Sequence, residues 1–452
     1  MTFSNDIDFK QATRHLILDL RQMKSFCESP LVIERGEGVY VYDVSGKRYI
    51  DGIGGIFVVS IGHGNRHVID AVREQHERIA FVAPLHAVSD TSVRYAKKLA
   101  EITPDGMNTI KLLGSGSEAT ESAIKFSRQY HRQTGNHYKY KIISNYTGYH
   151  GATLGAMSAS GLGGSRKSKF GPFLEGFIHL PPPRTESQAG GQTWDELRTA
   201  SLLEEVIRFE GPESIAAYIL EPISNTGGIL TPTAEFFLRI RELCDRYNVH
   251  LIYDEIITGM GRTGEWFAAQ TFGVAPDILC IGKGLSSGYA PLSAMIVRDD
   301  LHMEGFWGEP EEEIHFAHGH TYGANPISSA AGLAVIEVIE REKLIARGRE
   351  TGEHIRRRLG AEVAELGILG EIRGCGALTG VAFVAEMDSM TPFPDERQFG
   401  KKVEARLLEE GLILRCDPHW IAFAPPLCMT TAEADEMVDV FLRCLKAEAG
   451  CR

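Results

Sequence analysis

A lysine flanked by glycines, Gly282-Lys283-Gly284, comes directly after the apolar run DILCI at residues 277–281. Most lysines are solvated surface charges, and that interpretation stays open for this one. A position at the end of a buried strand would instead desolvate the amine, which favours its neutral form and lets it form a Schiff base. Asp254 ends another apolar run, HLIYD, and could lie beside it. A buried carboxylate there needs a cationic partner, either Lys283 or the protonated ring nitrogen of a bound pyridine.

A second candidate site is the small-residue turn Gly114-Ser115-Gly116-Ser117, which follows the apolar run NTIKLL and precedes a helical pattern. Small residues there expose backbone N–H groups at a helix N-terminus, which binds anions and most naturally phosphate. An ordinary glycine turn with a helix cap explains the same residues. Together, however, a phosphate-binding turn, a Schiff-base lysine and an aspartate for a pyridinium describe a pyridoxal phosphate site.

A framework of alternating elements must position these residues. From about residue 65, short apolar runs such as YKIIS, IAAYIL and HLIYD alternate with helical patterns such as EATESAIKFSRQYH and AEFFLRIRELCDRYN. This alternation predicts an α/β fold with a mostly parallel sheet covered by helices. Ligands of such sheets bind at the carboxyl ends of strands, which is where Glu221, Asp254 and Lys283 lie. Before the sheet, we predict a helix over residues 9–24.

Composition excludes several classes of protein. The 452 residues carry 47 Lys and Arg against 60 Asp and Glu, a net charge of −13, which argues against a general nucleic-acid binder and against electrostatic attachment to a membrane. No apolar run approaches the roughly 18 residues that a membrane span needs. The first residues lack a signal-peptide pattern, and the 8 cysteines include no C-x-x-C pair. We expect a cytoplasmic enzyme without a bound metal.

Two other motifs suggest different chemistry. Residues 259–264, GMGRTG, match the dinucleotide fingerprint G-x-G-x-x-G, but no clear helix follows them. Residues 114–119 match G-x-G-x-x-A better, yet no acidic residue ends a strand about 20 residues later. A nicotinamide-dependent dehydrogenase therefore remains only a weak alternative. His315, His318 and His320 could bind a metal ion, but no predicted helix or strand fixes the spacing between them. Histidines that form hydrogen bonds are therefore the preferred interpretation.

The assembled motifs resemble the class III aminotransferases, and more closely their ω-amino acid and amine:pyruvate transaminases. Five segments carry the resemblance in the family's order: GSGSEATESAIKFSR, GYHGAT, LIYDEIITGMGRTGEWF, PDILCIGKGLSSGYAPLSA and HGHTYGANP. The resemblance implies the fold type I architecture of pyridoxal-phosphate-dependent transferases. We therefore expect a large cofactor-binding domain over residues 63–330 with a mainly parallel seven-stranded sheet. A smaller α+β domain would combine residues 1–62 and 331–452, in a homodimer or tetramer with active sites at the subunit interface.

The resemblance also implies a role for each matching residue. Lys283 corresponds to the catalytic lysine that forms the Schiff base, and Asp254 to the aspartate that bonds the pyridinium nitrogen. The other matching positions all contact the cofactor: Ser115, Gly116 and Ser117 at its phosphate, Tyr149 stacked on its ring with His150 beside it, Glu221 near its O3′ side, Ile256 under the ring, and Thr321 at the phosphate from the neighbouring subunit. The implied reaction moves an amino group from an ω-amino acid or primary amine to a keto acid in two half-reactions.

Substrate-binding residues follow from the same resemblance. Arg415 falls where pyruvate-linked relatives carry a mobile arginine, whose guanidinium can hold a carboxylate by a two-pronged contact; pairing with the local Asp417 is the alternative. Phe57, Phe81 and Leu85 fall at positions that can line an amine pocket with Tyr149, although the two phenylalanines could equally belong to the core. The same fold and cofactor also serve decarboxylases, racemases and an aminomutase, so these reactions stay open at this point, as does a catalytically silent scaffold.

Overall fold

The computed structural model describes residues 7–161, 167–184, 186–187 and 193–450. A seven-stranded sheet forms its centre. In order across the sheet, the strands are Thr109–Leu113, Ser293–Val297, Ile278–Ile281, His250–Glu255, Ile215–Leu220, Lys141–Asn145 and Phe177–Leu180. The second of these strands runs antiparallel to both neighbours, and the other neighbouring pairs are parallel. The predicted α/β fold with a mainly parallel seven-stranded sheet is therefore confirmed.

Helices cover both faces of this sheet. Every residue of Ile215–Leu220 and of Ile278–Ile281 is buried, as continuous apolar runs require when a parallel strand is covered on both sides. The helices of this part of the chain are Arg66–Arg78, Asp90–Ala100, Gly116–Gln133, Leu154–Ala159, Glu196–Glu210, Ala234–Arg246, Ala268–Phe272, Asp299–Phe306, Pro326–Arg341 and Leu344–Leu366. Within the described ranges, no helix has the combination of length and apolar character that crossing a bilayer demands.

Two smaller sheets lie beside the seven-stranded sheet, one built from both ends of the chain and one from its C-terminal part. In the first, Ile33–Glu37, Tyr40–Asp43 and Arg48–Asp51 are joined by the C-terminal strand Leu412–Ile413, which runs parallel to Arg48–Asp51. The second contains Leu369–Cys375, Leu378–Glu386, Trp420–Phe423 and Arg415–Asp417. Helices Phe399–Glu409 and Thr431–Ala449 pack on them, and Val39 and Ile50 share one apolar core with Phe423 and Phe441. The domain boundaries at residues 62 and 330 remain a prediction.

The predicted N-terminal helix over residues 9–24 is wrong. The structure has two short helices, Phe9–Ala12 and Met23–Glu28, separated by a 3₁₀ turn and irregular chain. Between them Leu16, Ile17 and Leu20 are 54%, 95% and 78% exposed. Short helices are marginal in water unless an apolar face packs against the rest of the protein, and here that face has no cover within the described chain.

The sheet brings the predicted chemical residues to one edge. Because parallel strands all end at the same side, the residues that follow Thr109–Leu113, Ile215–Leu220 and Ile278–Ile281 converge there with the end of His250–Glu255. Distant parts of the sequence thus meet around a common space.

Two buried histidines beside the sheet lead to a prediction about acid stability. The rings of His131 and His250 stack with centroids 4.3 Å apart. Burial lowers the pKa of His131 to about 3 and that of His250 to about 4, whereas both take up protons near pH 6.5 once unfolded. Protonation therefore favours the unfolded chain, so the stabilisation from keeping them neutral is complete above pH 6.5 and is lost as the pH falls towards 4. Each should cost about 2 kcal/mol of unfolding free energy between pH 6.5 and 5.

The measurement is the melting temperature of the unaltered chain and of His131→Gln/His250→Gln at pH 7, 6 and 5. We expect a smaller fall with pH in the double variant. His76→Gln, at an exposed position of helix Arg66–Arg78, serves as the control and should follow the unaltered chain. Parallel curves for all three proteins would contradict the assignment.

Candidate active site

A cavity of about 180 Å³ opens at the carboxyl edge of the large sheet. Its walls include eight residues that the sequence predicted individually as site residues: Gly116, Ser117, Tyr149, His150, Glu221, Asp254, Ile256 and Lys283. Gly151, Ile223 and Ile257 complete the lining. Four strand ends and the N-terminus of helix Gly116–Gln133 therefore supply one site, as the parallel topology requires.

Lys283 enters the cavity from the first residues after strand Ile278–Ile281. Loss of water lowers the pKa of its amine below the ordinary value; the carboxylates of Asp254 and Glu221 act in the opposite direction, and the charge of Arg415 lowers it further. Its backbone has φ +44°, a left-handed conformation that costs a non-glycine residue of the order of 1–2 kcal/mol. Such strain persists only where surrounding contacts impose it.

Contacts from the N-terminal part of the chain hold the loop after Lys283. Ser287 Oγ accepts hydrogen bonds from the backbone N–H groups of Ser60 and Ile61 at 2.9 and 3.1 Å. The Ser60 hydroxyl in turn donates to the carbonyl of Gly284 at 3.3 Å. The lysine therefore stands on a loop that is pinned from a segment more than two hundred residues away in sequence.

Asp254 lies buried at the end of strand His250–Glu255. Its Oδ2 is 2.8 Å from Nδ1 of His150, and its Oδ1 accepts the backbone N–H of Ile256 at 3.2 Å. The His150 backbone N–H donates to Ser160 Oγ at 2.8 Å, which orients the residue from behind. Nε2 of His150 has no hydrogen-bond partner among the described residues. The carboxylate is thus held by two hydrogen-bonding contacts in a buried position.

Glu221 provides a second buried carboxylate. It accepts backbone N–H groups from Tyr149 at 2.8 Å and from Asn225 at 3.1 Å. Burial raises the pKa of this carboxyl group, an effect opposed by His150 and reinforced by Asp254. The contact with Tyr149 fixes the loop that carries this aromatic side chain against the cavity.

The predicted phosphate turn forms the N-terminus of helix Gly116–Gln133. Ser115 caps the helix, since its Oγ accepts the backbone N–H of Glu118 at 3.3 Å. Ser117 Oγ accepts the N–H of Ala152 at 3.0 Å and so joins the turn to the loop after Tyr149. A Cβ atom at position 116 would lie 3.1 Å from Ile256 Cδ1, so glycine lets this aliphatic side chain approach the turn closely.

These groups fit pyridoxal phosphate. Helix N–H groups at Gly116 and Ser117 suit its phosphate, the anion at Asp254 suits a protonated ring nitrogen, and the amine of Lys283 suits its aldehyde. Ile256 offers an aliphatic surface against a flat ring, and Tyr149 lines the same space.

The family model described as aminotransferase class-III matches residues 23–445. This chain is a class III aminotransferase. It is 32% identical to a putrescine–pyruvate aminotransferase of Pseudomonas aeruginosa, over 92% of this chain and 91% of that protein. The structure matches an (S)-enantioselective omega-transaminase from Thermomicrobium roseum with a TM-score of 0.91 and 36% identity, covering 97% and 98% of the two chains. It also matches the omega-transaminase from Pseudomonas jessenii in complex with PMP, with a TM-score of 0.93, 32% identity and 98% coverage of both chains.

Membership of this family helps to choose among the reactions that the sequence left open. The relatives and the structural neighbours are transaminases, which confirms the resemblance and the aminotransferase prediction. The decarboxylase, racemase, aminomutase and dehydrogenase alternatives are not favoured.

Several predicted site residues of this aminotransferase lie away from the cavity lining. Phe57 is 1% exposed and packs with Ile223 in an apolar cluster behind the cavity wall, so it belongs to the core of this chain. Phe81 and Leu85 are 42% and 92% exposed, and Thr321 is also exposed. Within one chain, the structure therefore does not bring these four predicted residues into the cavity with Lys283.

Arg415 occupies the short strand Arg415–Asp417, outside the cavity lining but near enough for its charge to lower the pKa of Lys283. One guanidinium nitrogen lies 3.7 Å from a carboxylate oxygen of Asp417, so the pairing left open by the sequence is present. The guanidinium carbon is also 5.1 Å from the ring centroid of Trp420.

The glycine motif at residues 259–264 has a structural role that the sequence analysis missed. Arg262, within it, is 0% exposed and donates to the carbonyls of Val59, Ala424 and Pro425. These contacts hold the turn Gly54–Phe57, in which Ile56 and Phe57 have left-handed φ values of +71° and +68°. An arginine inside a glycine motif was the available signal, because buried guanidinium groups need several acceptors at once.

The histidine-rich segment shows a hydrogen-bonded pair. Nε2 of His318 and Nε2 of His320 are 2.9 Å apart, and Nδ1 of His318 is 3.3 Å from the amine of Lys125. In the described part of the chain, no group of three or more His, Cys, Asp or Glu side chains has an arrangement that could hold a metal ion.

Proposed function

We propose that this aminotransferase binds pyridoxal phosphate in the cavity and transfers an amino group from a primary amine or ω-amino acid to pyruvate. The observation that carries the proposal is the position of Lys283, whose amine has a lowered pKa and shares one cavity with Asp254 and the N-terminus of helix Gly116–Gln133. A lysine on the outside of the sheet would support neither the cofactor nor the reaction.

Each residue of the cavity has its own role in the proposed reaction. When bound, the pyridoxal ring supplies an electron sink for the carbanion left by loss of a proton from the substrate carbon. The N–H groups at Gly116 and Ser117 would hold the phosphate, and the Asp254 carboxylate would favour the protonated ring nitrogen. His150 orients that carboxylate through its 2.8 Å contact. With the cofactor bound, Lys283 Nζ would take up the proton from the substrate carbon and pass it to the carbon derived from the cofactor aldehyde.

The positive charge of Arg415 favours an acceptor that carries a carboxylate. Arg415 is the cation whose charge reaches the amine of Lys283, and a guanidinium pairs well with a carboxylate. Pyruvate, the acceptor named for the Pseudomonas aeruginosa relative, carries such a carboxylate. On the donor side, Ile223 and Ile257 give the cavity apolar walls that suit an amine carbon chain.

A second copy of the chain would complete the site. Thr321 and Leu85 are exposed, and the Phe81 ring meets that of Tyr322 edge-on with centroids 6.0 Å apart. Ile56, in the left-handed turn Gly54–Phe57, is 57% exposed as well. We propose a homodimer in which this surface of one subunit faces the cavity of the other and Thr321 reaches its cofactor phosphate. Mixing Lys283→Ala with Thr321→Ala subunits would test it, because only mixed dimers contain one intact site.

Absorption spectroscopy of the purified protein with added pyridoxal phosphate tests the reaction. We expect a visible absorption band that an amine donor bleaches and pyruvate restores, with one alanine formed for each amine consumed. Bleaching accompanied by carbon dioxide release would support decarboxylation instead, and a protein that takes up no pyridoxal phosphate would refute the proposal. A panel of amine donors scored with pyruvate would then define the donor.

Arg415→Ala should separate charged from neutral acceptors. We expect KM for pyruvate to rise about 10- to 100-fold, because a charge-assisted contact is lost, while a neutral aldehyde such as butanal is converted almost as before. Initial rates with both acceptors give the comparison, and Arg357→Ala, at an exposed arginine, is the control. Equal losses with the two acceptors would rule out a carboxylate contact at Arg415.

A further inference from the structure

Arg415 lies against a platform made of Trp420, on the neighbouring strand, and Asp417, on its own strand. Strands Arg415–Asp417 and Trp420–Phe423 pair antiparallel, with Asp417 opposite Trp420. This tight connection brings the ring of Trp420 to 5.1 Å from the guanidinium carbon and the Asp417 carboxylate to 3.7 Å from a guanidinium nitrogen. A guanidinium within 6 Å of an aromatic ring centroid is attracted by the ring quadrupole, and tryptophan gives the strongest such contact.

A turn that hydrogen-bonds to the cavity residue Glu221 fixes the position of the Trp420 ring. A Cβ atom at Gly228 would lie 3.0 Å from Trp420 Cγ, so the ring packs directly on this glycine. Gly228 has φ +85°, and its N–H donates to the carbonyl of Asn225 at 3.0 Å. Asn225 in turn donates its own N–H to Glu221, which lines the cavity. The platform is therefore built on the same turn that holds a cavity carboxylate.

In this position Arg415 is close to the cavity without lining it. Its charge lowers the pKa of Lys283, yet the groups that form the cavity wall do not include it. A carboxylate that enters the cavity must therefore draw the guanidinium away from Trp420 and Asp417, whereas a substrate without a carboxylate leaves it there. Binding of a charged acceptor must therefore break the contacts of Arg415 with Trp420 and Asp417. The free energy of these contacts weakens acceptor binding by the same amount.

We propose that Trp420 and Asp417 form a resting platform for Arg415, and that the strength of this platform sets the preference of the enzyme between carboxylate-bearing and neutral acceptors. The inference rests on the proposed function, since it takes pyruvate as the acceptor. Weakening the contacts of Arg415 with the platform should strengthen the binding of acceptors that carry a carboxylate. One cation–π contact of this kind corresponds to about a two- to fivefold change in affinity.

The test compares Trp420→Leu and Asp417→Asn with the unaltered holoenzyme. Propionate, which has the carboxylate of pyruvate but no keto group, is titrated calorimetrically, so binding is measured without turnover. We expect its Kd, and KM for pyruvate, to fall about two- to fivefold in Trp420→Leu and in the same direction in Asp417→Asn. KM for butanal should be unchanged. Trp420→Phe keeps an aromatic face and should show a smaller change.

Two controls separate this effect from a general structural one. Trp307→Leu removes a tryptophan that is 67% exposed and whose ring meets that of His302, and it should behave as the unaltered enzyme. In the Arg415→Ala background, Trp420→Leu should no longer change propionate affinity.

Each remaining outcome decides one of the two proposals. Equal effects on pyruvate and butanal, weaker propionate binding in both platform variants, or the same effect of Trp420→Leu without Arg415 would overturn the platform. If Trp420→Leu does not fold, as its melting curve would show, Asp417→Asn alone decides, and unchanged propionate affinity in it counts against the platform. Failure of the unaltered enzyme to transfer an amino group to pyruvate would instead refute the proposed function.

Discussion

Lys283→Ala should reduce the rate of amino transfer by about 10⁴-fold. The Lys283 amine has a lowered pKa and lines the same cavity as the carboxylates of Asp254 and Glu221, so without it proton transfer at the substrate carbon loses its base. Pyridoxal phosphate should still bind through the N–H groups of the phosphate turn, with weaker affinity. The rate of alanine formation from pyruvate and an amine donor, together with the visible absorption of the bound cofactor, gives the measurement.

Lys343→Ala is a matched control for this variant. Lys343 has φ +52°, close to the +44° of Lys283, but it is exposed before helix Leu344–Leu366 and does not line the cavity. Both substitutions remove a lysine from a left-handed position, so any effect of the strained backbone should be common to them. We expect Lys343→Ala to keep full activity, and retention of turnover in Lys283→Ala would refute the assignment of the site.

Asp254→Asn should lower kcat by about 10²–10³-fold, the usual cost of removing one well-placed electrostatic group from an active site. Asparagine has nearly the same shape and can keep a hydrogen bond to His150, so the loop after His250–Glu255 should stay folded. What is lost is the negative charge that would hold a proton on the cofactor ring. The effect should therefore appear in kcat far more than in cofactor affinity.

Single-turnover bleaching by an amine donor is the most direct measurement of this variant. Asp245→Asn removes a carboxylate from the exposed side of helix Ala234–Arg246 and should leave the rate unchanged. If Asp254→Asn lost its cofactor but reacted normally once saturated with it, the carboxylate would serve binding alone and its proposed part in the reaction would be wrong.

Local sequence patterns were enough to predict the sheet and the centre of the site. Residues 215–220 and 278–281 are continuous apolar runs, and such runs indicate a strand covered on both faces wherever they occur. Lys283 and Asp254 come within a few residues of the ends of such strands, so a parallel topology places both at the same edge of the sheet; that their strands are neighbours is seen only in the structure. The prediction of an N-terminal helix was wrong for a related reason: among the described residues Leu16, Ile17 and Leu20 are exposed, and a sequence does not show which apolar residues the rest of the protein covers.

The amino-acid sequence by itself therefore determined the fold class, the family and the residues at the ends of the strands, because each depends on neighbours within a short stretch of chain. Only the tertiary structure placed Ser60 against the loop of Lys283, Arg262 beneath a left-handed turn, and Trp420 beside Arg415 with its ring seated on Gly228. It also left Phe81 and Leu85 on the surface. Most of these contacts join residues separated by more than a hundred positions, and the Trp420 ring is held through one of them. Their geometry depends on how whole layers pack, which no local pattern encodes.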